Sequence, residues 1–155
     1  MRPFASTISL DEARRRLTAA VRPIERRERV PLATAAGRVA AAPVVSAIDV
    51  PPFARSAMDG YAVIAADTAA ASKNTPARLR VVDRIFTAQV STITVARGAC
   101  AEIATGAPLP AGADAVVMVE ETARGGDGAV DVWSVVQSGQ NIGRRGGDIM
   151  AGDAV

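Results

Sequence analysis

The sequence contains no histidine and a single cysteine, Cys100. Without imidazole it lacks Ser-His-Asp and Cys-His machinery and most zinc-hydrolase ligand sets, and one thiol makes neither an internal disulfide framework nor a cysteine-based zinc cluster. Aromatics are scarce. Phe4, Phe53, Tyr61, Phe86 and Trp133 are the whole complement, too few for the stacking platforms of a single-strand nucleic-acid binder. No apolar run approaches the roughly 18 residues of a membrane span, and Met1-Arg2-Pro3-Phe4 lacks the apolar stretch of a signal peptide. The expectation is a cytoplasmic protein with no membrane partner. What is present is 155 residues, 49% hydrophobic and rich in Ala and Val, enough for one compact domain or two small ones.

Charge is unevenly placed. Residues 1–38 carry nine arginines against Asp11, Glu12, Glu25 and Glu28, whereas the whole chain is only +2. A basic segment of this kind suits nucleic acid. Here Arg14-Arg15-Arg16 lie on a helix whose opposite side is apolar, which reads more simply as a solvated face, and nucleic acid is not an expected partner.

Ser9-Leu10-Asp11-Glu12 has the form of a capping box, followed by Leu10, Ala13, Leu17, Ala20 and Val21 at helical spacing until Pro23. Glu28–Leu32 reads as a short strand, Thr34–Val39 as a helical turn and Val44–Ile48 as extended. From Pro51 the texture changes to short β-branched runs at 61–64, 78–85, 91–95, 99–103, 115–119 and 130–136, punctuated by Gly, Pro or Asn, with a hairpin loop at Gly125-Gly126-Asp127-Gly128. The fold class expected is α+β: an α/β N-terminal region of residues 1–48 with 139–155, and an inserted β-rich, barrel- or sandwich-like region of residues 49–138.

Three segments carry candidate chemistry. In Pro51-Pro52-Phe53-Ala54-Arg55-Ser56-Ala57-Met58-Asp59-Gly60-Tyr61-Ala62-Val63, Pro-Pro fixes an extended approach, and Gly60 permits positive φ beside Asp59. That would hold a carboxylate at a loop-to-strand junction; the local alternative is a turn in which Asp59 caps its own backbone. In the segment 103–120, Thr105-Gly106 at a strand end offers a hydroxyl and exposed N–H groups to an oxyanion. Glu120 and Glu121 follow an apolar run, Glu121 as an edge-strand gatekeeper and Glu120 as either gatekeeper or metal ligand. In Ser138–Ile149, glycines bracket Arg144-Arg145, two guanidiniums able to neutralise an anion, with Asp148 as their ion-pair partner or a magnesium ligand. None matches a Walker or dinucleotide-binding fingerprint.

In order and spacing, however, these segments together resemble the N-terminal half of the molybdopterin molybdenumtransferases, the family of bacterial MoeA and the gephyrin E domain. The Ser56-Ala57-Met58-Asp59-Gly60-Tyr61-Ala62 string is highly specific to it, and the opening helix and Gly37-Arg38-Val39 are also similar. The resemblance implies insertion of molybdate into adenylated molybdopterin with release of AMP, assisted by magnesium, in an elongated homodimer whose site forms where the pterin-binding domain of one subunit faces the β-rich region of the other. It implies a catalytic role for Asp59, Thr105 and Asp148, substrate contacts from Ser56, Gly106 and Arg145, and magnesium ligation by Asp59, Asp148 and Glu120. A molybdopterin adenylyltransferase is the implied partner.

The sequence departs from the family pattern in two places. Gly147 stands where a Glu is usual, removing a carboxylate beside Asp148, and Ala54-Arg55 replace the commoner Asp-Asn before Ser56. The resemblance covers less than half of a typical member and stops before the pterin-binding domain. The chain alone is therefore expected to be inactive in insertion, as a truncated piece or a short member. The competing reading is a non-catalytic dimerisation or interaction module of the same pathway.

Overall fold

The computed structural model describes residues 7–155, which fall into two compact units, one ending at Ala42 and one spanning Pro43–Val155. The fold is α+β.

The first unit holds helix α1 (Leu10–Ala20). Ser9 caps it as its position suggests, its hydroxyl accepting from Glu12 N–H at 3.2 Å. The other half of the capping box is replaced, because the Glu12 carboxylate accepts from Arg15 at 2.6 Å and Arg16 at 2.8 Å. The expected strand at Glu28–Leu32 does not form: it finds no pairing partner, and Leu32–Thr34 is instead a single 3-10 turn.

The second unit contains β1 (Arg55–Ser56), β2 (Gly60–Val63), β3 (Ala77–Ile85), β4 (Ala99–Ile103), β5 (Ala115–Met118), β6 (Thr122–Arg124), β7 (Ala129–Val132) and β8 (Ile142–Gly143). Six of them form one sheet in the order β5-β2-β4-β3-β7-β6, and β1 pairs with β8 as a separate ribbon. The two edge strands, β5 and β6, are consecutive in the chain, joined by the 3-10 turn Val119–Glu121. The hairpin loop at 125–128 lies between β6 and β7, and β6 itself is a strand not expected from the sequence. Of the expected run at 91–95 only Thr94 pairs, in an isolated bridge to Ala111, and Val44–Ile48 contributes one bridge, Val45 to Ala154.

Side chains on both faces of the sheet are buried. Tyr61, Val63, Leu79, Cys100, Val117, Val130 and Val132 fill one cluster. Ala62, Ile85, Val95, Ala101, Ile103 and Val116 fill another. In a regular strand Leu79 and Ile85 would share a face. A bulge between Val81 and Asp83 inserts one residue against β4 and turns Ile85 to the opposite cluster, as an extra strand residue must.

Gly60 is required here for space rather than for a special dihedral. Its φ is not positive, but a Cβ built on it would lie 1.9 Å from the Val117 carbonyl oxygen. The glycine lets β2 lie tightly between β4 and β5 and so fixes where Asp59 leaves the sheet.

Candidate functional site

The three motif segments meet around β1. Arg55 and Ser56 pair with Gly143 and Ile142 of β8 on one side. On the other, Arg55 bridges Pro108, the Ser56 N–H donates to the Ala107 carbonyl at 3.0 Å, and the Gly106 N–H donates to the Ser56 carbonyl at 2.8 Å. The Ala57 N–H donates to the Asn141 carbonyl at 2.9 Å. Residues from 54 to 57, 106 to 109 and 141 to 143 are thus one interlocked backbone assembly.

Asp59 sits at its mouth, exposed. One oxygen, Oδ1, accepts from both the Thr105 backbone N–H at 2.6 Å and the Thr105 hydroxyl at 2.8 Å. The carboxylate therefore caps a loop 46 residues away rather than its own turn. Those two donors, the backbone N–H first, hold its pKa below the ordinary carboxylate value, since hydrogen bonds to the charged form favour it.

The expectation that Thr105-Gly106 presents free N–H groups to an oxyanion is corrected by this geometry. The Thr105 N–H is taken by Asp59, the Gly106 N–H by Ser56 and the Ala107 N–H by the Ala104 carbonyl at 3.0 Å. Ser56 is 1% exposed, and its hydroxyl donates to the Met58 carbonyl at 2.5 Å. Both residues are placed to shape the loop.

Arg145 is placed against Asp49, a residue outside the three motif segments. Its Nε donates to Asp49 Oδ2 at 2.6 Å, and the Ala151 N–H donates to Asp49 Oδ1 at 2.9 Å. Asp49 is held below its ordinary pKa by the Ala151 N–H and by Arg145. Backbone bonds complete this clasp: Gly146 N–H to the Pro51 carbonyl and Asp148 N–H to the Val50 carbonyl, both 2.9 Å. Asp148 and Glu120 are exposed. Glu121 accepts from the Ser134 hydroxyl at 2.7 Å. No local signal marked Asp49, because its partner lies 96 positions away.

A cleft of about 250 Å³ opens beside Asp59, lined also by Tyr61, Arg84, Phe86, Glu102 and Val119. Glu102 is forked between two guanidiniums, Arg84 Nε at 3.0 Å and Arg124 Nη2 at 2.6 Å. Among the described residues no group of three or more His, Cys, Asp or Glu is gathered to hold a metal ion, and no helix is long and apolar enough to cross a membrane.

Residues 8–155 match the family model described as the MoeA N-terminal region, domains I and II. Molybdopterin molybdenumtransferase 2 of Mycobacterium tuberculosis is 41% identical over 129 residues, covering 81% of this chain and 31% of its own length. Molybdopterin molybdenumtransferase of Synechococcus elongatus is 38% identical over 126 residues, again 81% of this chain and 31% of its own. A crystal structure of the molybdopterin biosynthesis MoeA protein of Pyrococcus horikoshii superposes with a TM-score of 0.85 at 39% identity, covering 94% of this chain and 38% of that one. The chain belongs to the MoeA family and constitutes its N-terminal region. It spans about a third of the length of the curated relatives it matches.

Proposed function

We propose that this chain supplies the molybdate-side scaffold of an enzyme that inserts molybdate into adenylated molybdopterin and releases AMP. The observation that carries the reading is the Asp59–Thr105 contact, which joins the Ser56–Ala62 string to the 105–108 loop within a chain of the family. A carboxylate kept ionised by fixed donors at the edge of an open cleft suits a reaction whose substrates are an oxyanion and a phosphoanhydride.

Magnesium fits the donor chemistry in a sparse way. This cation commonly takes one or two carboxylates, keeps several waters and shares substrate phosphates, and single exposed carboxylates at Asp59, Asp148 and Glu120 are donors of that kind. Bound, it would neutralise phosphate charge as AMP departs. The residues of this chain act around it: Thr105 holds Asp59 charged and aimed, and the Asp49 clasp anchors the loop carrying Asp148. Residues 1–48 with 139–155 would form the discontinuous region around the inserted residues 49–138, a reading supported at one point, the Val45–Ala154 bridge.

The same reading gives a cytoplasmic homodimer that receives its pterin from an adenylyltransferase and needs a pterin-binding domain absent from these 155 residues. The test is molybdenum insertion into adenylated molybdopterin, with AMP release followed, by a longer protein carrying this region and by the 155-residue chain alone. Insertion by the former and none by the latter is expected. Absence of insertion by the longer protein, with its fold intact, refutes the function.

A further inference from the structure

The cleft beside Asp59 is crossed by one row of side chains on the sheet. Tyr61 on β2 stands opposite Glu102 on β4, and Glu102 stands opposite Arg84 on β3. Residues in register on adjacent strands share a face, and all three line the same opening of about 250 Å³. Phe86 and Val119 extend its wall, and both expose large apolar side chains, Phe86 at 58% and Val119 at 47%.

The polar part of the row is already arranged. Glu102 is held at both oxygens, Oε1 by Arg124 of β6 at 2.6 Å and Oε2 by Arg84 at 3.0 Å. With Glu102 satisfied from two sides, Arg84 is the group left to meet a ligand. Its side chain is 61% exposed, and it contacts Glu102 through Nε, so its terminal nitrogens are the donors available at the cleft. Phe86 is anchored as well. Its N–H donates to Gln89 Oε1 at 3.3 Å, and its carbonyl accepts from the Gln89 N–H at 3.0 Å. The neighbouring Thr87 hydroxyl donates to the Thr105 carbonyl at 3.2 Å, which ties this wall to the residue that grips Asp59.

An apolar wall with an exposed aromatic ring suits a flat ring system, and a fixed guanidinium suits an oxyanion attached to that ring. Asp59, kept ionised by Thr105, repels an anion, which leaves Arg84 as the lining charge that attracts one. The volume falls just below the roughly 300–1,000 Å³ of sites that enclose a drug-sized molecule. It is room for one ring system rather than for a whole adenylated pterin. We propose that this cleft is a subsite for a planar aromatic heterocycle carrying an anionic group, with Phe86 and Val119 as its apolar wall and Arg84 as its anion contact. The subsite deepens the function proposed above and rests on it for the identity of the ligand. That chemistry has two sources in the substrate, the adenylate half and the pterin half.

NMR titration of the ¹⁵N-labelled 155-residue chain with AMP, and separately with pterin-6-carboxylate, reads the site residue by residue. Amide shifts are expected around Arg84 to Phe86, Glu102 to Ala104 and Val119, the lining of the cleft. Tighter binding of AMP assigns the subsite to the adenylate half, and tighter binding of the pterin assigns it to the other. Arg84→Gln and Phe86→Ala are each expected to weaken the preferred probe about tenfold, the scale of one charge-assisted contact or one stacked ring. Both side chains are exposed, so circular dichroism and thermal melting should show both variants folded. Arg78→Gln removes a similarly exposed guanidinium from the other end of β3 and should leave the affinity unchanged.

Wild-type protein whose cleft amides respond to neither probe overturns the proposal. So does inorganic phosphate that binds as tightly as the preferred probe, because the ring then contributes nothing. Folded Arg84→Gln and Phe86→Ala variants that bind both probes undiminished overturn it too. Arg78→Gln weakening the probe as much as Arg84→Gln has the same force, being the mark of general charge attraction. The titration involves no molybdate and no turnover. Failed insertion by an intact longer protein therefore leaves this subsite standing, and a flat titration removes the subsite without deciding insertion.

Discussion

Thr105 grips one oxygen of Asp59 twice, through its backbone N–H and its hydroxyl, across 46 residues of chain. The hydroxyl half can be removed alone. Thr105→Val keeps the N–H and the shape, so the Asp59 pKa should rise toward its ordinary 3.8, read by NMR titration of the side-chain carboxyl. In a longer, insertion-competent protein the same change should cost about tenfold or more in activity, the scale seen when a partner that orients a functional carboxylate is lost. An unmoved Asp59 titration would show that the hydroxyl contributes nothing.

Asp49 and Asp59 are both held below the ordinary carboxylate pKa by their folded-state partners. A depressed folded pKa contributes stability that is present above the unfolded value of 3.8 and is lost as pH falls through the folded value. Melting temperature should therefore decline as the solution is acidified from about pH 5 downward. The Asp49→Asn, Asp59→Asn double variant should melt lower at neutral pH and show a shallower decline. Parallel curves for wild type and double variant would contradict this.

Gly60→Ala places a methyl group 1.9 Å from the Val117 carbonyl oxygen, a backbone atom with no flexible end to yield. Destabilisation of about 3 kcal/mol or more is expected, at or beyond the upper end for overpacking. Urea unfolding of the variant against wild type measures it.

Burial, with a smaller contribution from Glu102, pushes the Cys100 thiol up to about 12 from 9.0. At pH 8 the native protein should react with a thiol-specific disulfide reagent orders of magnitude more slowly than the urea-unfolded chain, because the thiolate is the nucleophile. Folded-state stability should also fall as pH rises above 9.0, where only the unfolded thiol ionises. Rapid labelling of native protein would show that Cys100 is not held inside the sheet.

Helix α1 and the long strands were legible because apolar spacing and β-branched runs are local signals. β4 was read at its exact ends, Ala99–Ile103. β6 was not, because Thr122-Ala123-Arg124 is too short and too polar to alternate; it is a strand only because β7 lies beside it. Conversely, Glu28–Leu32 has strand-like residues and no neighbour to pair with. The site behaved likewise. Asp59 and Thr105 were legible as motif members through family resemblance, but nothing in their spacing shows that one holds the other. The Asp49–Arg145 clasp, which settles which arginine has a partner, is a contact between distant segments.

The ribbon of Arg55-Ser56 with Ile142-Gly143 also sets a schedule. During synthesis the six sheet strands are all available once Val132 has emerged from the ribosome, whereas β1 must wait for Ile142 and Gly143 before its second side is paired. A nascent chain can thus own a finished sheet while the corner around Arg55 and Ser56 is still unmade, and the corner is completed late, after the frame that supports it.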